Sequence, residues 1–326
     1  MLELLKSNKG FDTPERWLDY GIEHDFQKIE AKKLEECPDC GSRVFKFIGQ
    51  YIYYSSLVKL NECLACGLVF SDIHIDPQVI HAHFEHTYKD ENYFRDRRSR
   101  IFDQIATIVD RVTLQGGTVL DIGGAKGHLL AILKKRRPDL KLVLNDLSKD
   151  ACDFATSTFE LDTVCGDIKA LEQITSPFNT LIISDVLYYE PDLNRLWKLL
   201  PILVSKGGAV VIRVPNKLPL IRLYQFVKRF TVSHEKRELQ DHIKYFNPEH
   251  IYVFSPHYLL SRLRNLGFSQ TMALPSQLLV QTQGKFRYAL YYRLAKTLSI
   301  LSHRKFIITP SFLVIARNNI HERGIK

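Results

Sequence analysis

Four cysteines stand in two Cys-x-x-Cys knuckles, Cys37-Pro-Asp-Cys40-Gly and Cys63-Leu-Ala-Cys66-Gly, with twenty-two residues between them. This spacing suits one tetrahedral zinc ion. Each knuckle turns two thiolates toward one point, Gly41 and Gly67 allow the tight backbone, and the strand-like residues between can form a small ribbon. Four thiolates leave no open coordination position, so such a zinc would be structural; a redox pair is the alternative. Cys152 and Cys165 stand singly, which makes disulfides the poorer reading. The polar, charged N-terminus has no continuous apolar run, so a reducing cytoplasm is the expected compartment.

A second chemistry is written at Thr118 to Leu130, Thr-Val-Leu-Asp-Ile-Gly-Gly-Ala-Lys-Gly-His-Leu-Leu. This reads as a buried strand, a glycine turn and a helix. Gly123, Gly124 and Gly127 remove Cβ atoms where the backbone turns and a ligand approaches, and the helix points free N–H groups at that ligand. The next strand, Lys141 to Asn145, ends in Asp146, nineteen residues after Gly127, where nucleotide-binding folds place a carboxylate for ribose hydroxyls. Asp121 narrows the ligand class: a carboxylate at the turn repels a pyrophosphate and suits a cationic amino-acid group. Capping the next helix is the competing role for any strand-end aspartate.

Downstream stand Cys165-Gly-Asp167-Ile168, then Phe178 to Leu187 with Ser184-Asp185-Val186-Leu187, then Lys206-Gly-Gly-Ala-Val-Val-Ile-Arg-Val-Pro215-Asn216. In this order of motifs, from about residue 116 to Ser311–Arg317, the chain resembles class I S-adenosylmethionine-dependent methyltransferases. The resemblance implies an α/β fold with a doubly wound, seven-stranded, mostly parallel sheet and an antiparallel last strand, joined here to a small N-terminal zinc ribbon. It also implies S-adenosylmethionine as cofactor. Asp121 would lie near the methionine amino group, with Gly123, Gly124 and Gly127 along its backbone. Asp146 would hold the ribose, Asp167 and Ile168 would flank the adenine, and Leu147 and Asp185 would complete the cofactor-binding set. Ala125 replaces the family's middle loop glycine, and Tyr188-Tyr189 replace its frequent Glu-His, so no acid/base histidine carries over there.

Histidines recur later, in Asp241-His242-Ile-Lys-Tyr-Phe-Asn-Pro and Glu249-His250-Ile-Tyr-Val-Phe-Ser-Pro. Similar methyltransferases carry one such segment before a helix ending in Gly-Phe, here Tyr258 to Leu266 and Gly267-Phe268. His250 and His242 are therefore the candidate catalytic bases, with a loop-positioning role as the alternative.

The supporting elements divide the chain as a charged helical segment over 1–30, the ribbon over 31–73, a helical connector and lid over 74–115, and the cofactor domain over 116–326. Inserts are expected at about 217–250 and 276–310. Thr13-Pro14-Glu15 marks a helix start. In the connector, Ile101, Ile105 and Ile108 recur at helical spacing behind His81, His83, His86, Tyr88, Tyr93 and Phe94. The insert after Asn216 is expected to help build the acceptor pocket.

The composition, 45% hydrophobic and 25% charged, is that of a globular protein. The formal net charge is +9, and between Glu249 and Glu322 there are nine Lys or Arg and no carboxylate side chain. Within that region Phe286, Leu290, Leu294, Leu298 and Leu301 share one helical face, while charge interrupts the run too often for it to span a bilayer. Three readings stand: a helix covering the sheet, contact with an acidic substrate such as a sugar phosphate, or contact with anionic lipid at the inner face of the membrane.

The expected activity is methyl transfer to a small or carrier-linked metabolite, with the oxygen of a sugar or glycan precursor favoured and an anionic acceptor among the options. A zinc-ribbon RNA methyltransferase and a catalytically silent binding scaffold are the rival classes. Dispersed basic residues without an aromatic-basic recognition motif weigh against nucleic acid, and the retained cofactor constellation weighs against the scaffold.

Overall fold

The computed structural model describes residues 32–53, 56–74, 95–231, 250–280 and 286–319. The helical segment expected over 1–30, the connector residues His81, His83, His86, Tyr88, Tyr93 and Phe94, and His242 lie outside the described residues.

In chain order the first elements are β1 (Lys32–Lys33), β2 (Phe45–Tyr53), β3 (Ser56–Cys63), β4 (Val69–Ser71) and β5 (Ile73–His74). Next come α1 (Arg95–Val112), β6 (Thr118–Ile122), α2 (His128–Arg136), β7 (Lys141–Asp146), α3 (Lys149–Phe159) and β8 (Asp162–Cys165). These are followed by β9 (Phe178–Ser184), α4 (Leu193–Leu203), β10 (Val204–Pro215) and α5 (Leu218–Thr231). The last are β11 (Tyr252–Val253), α6 (Pro256–Asn265), β12 (Phe268–Pro275), α7 (Phe286–Leu301) and β13 (Ser311–Asn318).

The chain divides into two compact units, Met1–Pro77 with Lys217–Val253, and Gln78–Asn216 with Phe254–Lys326. In the first, β2, β3 and β4 form an antiparallel ribbon, and β11 returns to pair with β4 through Tyr252↔Phe70 and Val253↔Val69. Val58, Leu60, Leu68, Val69 and Phe70 are fully buried and supply its small core. α5 adds an ion pair from Arg222 to Glu62 at 2.8 Å and a hydrogen bond from the Gln225 amide to the Ile48 carbonyl. The segment expected as an insert of the cofactor domain therefore groups with the ribbon. Strand pairing through β11 is the physical reason.

In the second unit the sheet order is β12-β13-β10-β9-β6-β7-β8. β6 pairs in parallel with both β7 and β9, and β13 is antiparallel to both neighbours, so it alone runs against the other six strands. This is the seven-stranded, doubly wound α/β arrangement the sequence resemblance implies. Continuous apolar runs explain the strands: helices cover both faces, so neither side of a parallel strand needs polar residues. In α1, Ile101, Ile105 and Val109 are fully buried in a cluster with Val119, Leu142 and Leu313. α6 starts at the Ser255 cap, whose hydroxyl accepts from the Tyr258 N–H at 3.1 Å, and ends before Gly267 at φ +90°. Strand order reverses between β6 and β9, and in open α/β sheets a ligand crevice forms at the carboxyl ends of strands beside such a reversal.

Candidate functional site

The reversal is where the sequence-predicted cofactor residues gather. β6 ends in Asp121-Ile122, and the loop 123–127 leads into α2 with Gly127 as its cap. The N–H groups of Gly123 and Gly124 donate to the Asn145 carbonyl at 2.8 and 3.1 Å, tying the loop to the end of β7. Glycine is needed here for space as well as for conformation. At Gly124 a Cβ would lie 2.3 Å from Leu144 Cδ1 and 2.7 Å from Asp121 Oδ2. At Gly123, with φ +66°, a Cβ would lie 2.5 Å from Val186 of the Asp-Val-Leu segment.

Asp121 is buried, and its Oδ1 has no hydrogen-bond partner among the described residues. Burial, aided by the charge of Asp146, pushes its carboxyl up to about 8. An unmatched buried anion is an unstable arrangement until a cation or donor reaches it. The arrangement fits a ligand that brings an ammonium group.

Asp146 does more than wait for a ribose. Its Oδ2 accepts from the Ala125 N–H at 2.8 Å and its Oδ1 from the Ser148 N–H at 3.0 Å. The first bond holds Ala125 at φ +52°, a left-handed backbone uncommon for a residue with a Cβ. A carboxylate oxygen can accept more than one hydrogen bond, so these bonds and a ligand hydroxyl are compatible on one carboxylate. The helix-capping role belongs to Ser148, whose hydroxyl accepts from the Ala151 N–H at 3.2 Å, and Leu147 lies half-buried between the two. Asp167, at the end of β8, does cap: it begins the short 3-10 turn Ile168–Gln173 and accepts from the Lys169 N–H at 2.9 Å, with half its side chain exposed. Ile168 is buried.

Asp185, expected among the cofactor residues, is clasped by protein. Its Oδ2 accepts from Arg98 of α1 at 2.8 Å and from Arg213 of β10, while the Arg213 Nε donates to Ser276 Oγ at 2.7 Å. The residue sits at φ +60°. Sequence reading missed both arginines, although Arg213 carried a signal: a cation inside an apolar strand must be paired. Tyr188 is buried, its phenol raised above the usual range by burial and the Asp185 charge, and its ring centroid is 4.5 Å from that of Tyr189. Glu190, pushed up to about 7 by burial, is a further titratable group missed from sequence. At the end of the loop, Lys126 lies over the Phe154 ring at 4.8 Å, and His128 packs edge-on against Phe154 and Phe159.

In the ribbon unit, Cys37, Cys40, Cys63 and Cys66 bring their sulfurs within 4.8 Å of one another, with Cys37–Cys66 at 3.6 Å and Cys40–Cys63 at 3.5 Å. Zinc–sulfur bonds of about 2.3 Å in a tetrahedron place sulfurs roughly 3.8 Å apart, so the donor set fits that ion. The knuckles have matching backbones: the Gly41 N–H donates to the Cys37 carbonyl and the Gly67 N–H to the Cys63 carbonyl, both at 2.9 Å, with φ +70° and +79°. A hydrogen bond from Cys66 pulls the Cys37 thiol down to about 6, whereas burial pushes Cys40 up to about 11. All six described cysteines are free thiols.

His250 belongs to the same unit, entering β11. Burial and the Lys217 charge hold its imidazole well below the usual histidine range, hence neutral. No helix among the described residues is long and apolar enough to cross a membrane.

Among solved structures, the chain is similar to an S-adenosylmethionine-dependent methyltransferase from Archaeoglobus fulgidus, with 20% identity over 71% of this chain and 99% of that one and a TM-score of 0.47. It is similar to a possible histamine N-methyltransferase from Thermotoga maritima, at 15% identity over 73% and 99% and a TM-score of 0.45. An O-methyltransferase family protein from Burkholderia thailandensis matches at 16% identity over 73% and 62%, with a TM-score of 0.44. No curated protein sequence matches. The methyltransferase domain family matches residues 93–271, more than half of the chain and the stretch that holds the glycine loop and every strand-end aspartate above. The chain belongs to that family and is an S-adenosylmethionine-dependent methyltransferase.

Proposed function

We propose that the chain methylates an oxygen of a small or carrier-linked sugar or glycan precursor, gripping the donor at the strand tips of β6, β7 and β8 while a zinc ion braces the ribbon. The observation that carries the donor assignment is the buried Asp121 carboxylate with an open oxygen beside the glycine loop. It suits the methionine ammonium. Asp146, at the end of β7, accepts from the ribose hydroxyls, and Asp167 accepts from the adenine amine beside Ile168. The donor supplies an electrophilic methyl on a sulfonium, so the residues serve chiefly to align and to exclude water. The resemblance implies His250, held neutral by burial, as the candidate proton acceptor, with loop positioning as its alternative role. The oxygen and sugar preference is supported by resemblance to ribbon-bearing bacterial enzymes, and the free thiols suit a reducing cytoplasm.

Four converging thiolates would bind zinc and fill its tetrahedron, leaving the ion a structural role. Cys37→Ser is expected to lower zinc stoichiometry and destabilise the ribbon unit; full metal content by atomic absorption would remove the zinc assignment. For the donor, Asp146→Ala is expected to weaken S-adenosylmethionine binding by about 1.5–3 kcal/mol in calorimetry, the scale of lost charge-assisted hydrogen bonds. Transfer of labelled methyl to nucleotide-sugars but not to RNA supports the acceptor class, and preferential RNA labelling overturns it. His250→Gln is expected to lower kcat about a hundredfold with KM little changed; a KM effect alone would make it a positioning residue.

A further inference from the structure

The helix α7 is built inside out. At 100° per residue, Phe286, Leu290, Leu294, Leu298 and Leu301 fall within an arc of about 120°. That arc faces solvent: Phe286 is 79% exposed, Leu294 63% and Leu301 73%, with Leu290 and Leu298 exposed as well. The opposite side, which packs inward, carries the small Ala295 and Ser299, both buried, beside the half-buried Tyr288 and Tyr292. An isolated exposed leucine means little, since much of any protein surface is apolar. A helix that buries alanine and serine and turns four leucines and a phenylalanine outward is different, because α1 of the same unit does the reverse, with Ile101, Ile105 and Val109 inside.

The surroundings of that face specify its charge. Arg287, Arg293 and Lys296 are exposed on the helix, and Arg304 and Lys305 follow it beside Phe306, itself 63% exposed. From residue 250 to residue 321 the sequence holds no Asp or Glu. A second copy of the chain is a poor occupant, because a two-fold contact through this face would set cations against cations. Crossing a bilayer is excluded by the helix itself, which is too short and too charged. The helix is 16 residues and about 24 Å long, its exposed arc carries five large apolar side chains interrupted by Arg287 and Thr297, and its other side packs on the protein. Such a face can lie in the plane of a membrane surface while the arginine reaches the headgroups.

We propose that α7 and the segment Arg304–Phe306 dock this protein on an anionic lipid surface, with Phe286, Leu290, Leu294, Leu298 and Leu301 entering the headgroup boundary and the five cations meeting lipid phosphates. This docking does not depend on which acceptor is methylated.

The test is co-sedimentation of the full-length, zinc-loaded protein with vesicles of phosphatidylcholine alone and of phosphatidylcholine with about one third phosphatidylglycerol. Binding is expected to be at least about tenfold tighter to the anionic vesicles and to weaken in high salt. Leu294→Glu with Leu301→Glu, both at exposed positions, is expected to abolish vesicle binding while leaving the far-ultraviolet circular dichroism and S-adenosylmethionine affinity unchanged. Arg293→Glu with Lys296→Glu is expected to weaken binding to anionic vesicles by about tenfold and to leave neutral vesicles unaffected. Equal binding to both vesicle types, or binding to neither, overturns the proposal. So does a concentration-dependent dimer in light scattering that the double leucine variant dissolves, which would make the face a protein interface.

Discussion

Asp121 and Asp185 stand at the carboxyl ends of adjacent parallel strands and are buried to similar depth, yet their surroundings are opposite. Asp121 has an open oxygen and a carboxyl pushed up to about 8, while Asp185 accepts from Arg98 and Arg213. A buried anion that the protein has already paired is part of the scaffold. A carboxyl left unpaired is kept protonated near neutral pH, and a cationic ligand favours its ionisation on binding. The ribbon repeats the contrast, since its four thiols converge on a single point and on no substrate-sized space. Where the polar groups of a site meet one another they hold the fold, and where they stop short of one another they are open to a ligand.

The comparison breaks most visibly through stability. Arg213→Met leaves Asp185 with Arg98 alone and is expected to lower unfolding free energy by about 3–5 kcal/mol, read from urea denaturation. A loss below 1 kcal/mol would show that Asp185 is not held by the arginine and is available to ligand. Asp121→Asn should act in the other sense, weakening S-adenosylmethionine binding by about 1.5–3 kcal/mol in calorimetry without lowering apo stability at pH 8. If stability falls and affinity holds, the two aspartates have been assigned the wrong way round.

Titration sharpens the same point. The folded-state pKa of Asp121, about 8, lies above its ordinary value of 3.8, so its stability contribution is full below pH 4 and is lost as pH rises through 8. Apo stability is therefore expected to decline between pH 5 and pH 8, and the decline to be smaller in Asp121→Asn, with Glu190 at about 7 contributing in the same direction. Donor binding near pH 7 should release protons, seen as calorimetric enthalpies that differ between buffers of different ionisation enthalpy. The smallest effect belongs to the cap beside Asp146: Ser148→Ala is expected to cost about 1 kcal/mol of stability with donor affinity within a factor of a few of wild type. A larger affinity loss would mean that the cap helps set the Asp146 carboxylate for ribose.

Much of this arrangement was legible from local pattern. Gly123 and Gly124 announce a backbone that must pass close to its neighbours, and the Cβ positions they lack would strike Val186, Leu144 and the Asp121 carboxylate itself. Apolar runs such as Val119-Leu120 and Leu181-Ile182-Ile183 announce parallel strands, and Cys-x-x-Cys-Gly announces a knuckle. These readings succeed because each depends on neighbours within a few residues. Asp185 was not legible in the same way. Its partners lie 87 and 28 residues away, and one belongs to a helix that only the packing of α1 brings to the end of β9.

Sequence alone determined the element types, the motif order of the donor pocket, the convergence of four thiols and the periodic apolar face of Phe286–Leu301. Tertiary structure alone decided that β11 pairs with β4 and so draws the segment after Asn216 to the ribbon, that Asp185 accepts from two arginines, and that the apolar face of α7 points to solvent. Periodicity says which residues share a side of a helix, a property of the local turn. Which side meets the core depends on the shape and charge of distant segments packed against it.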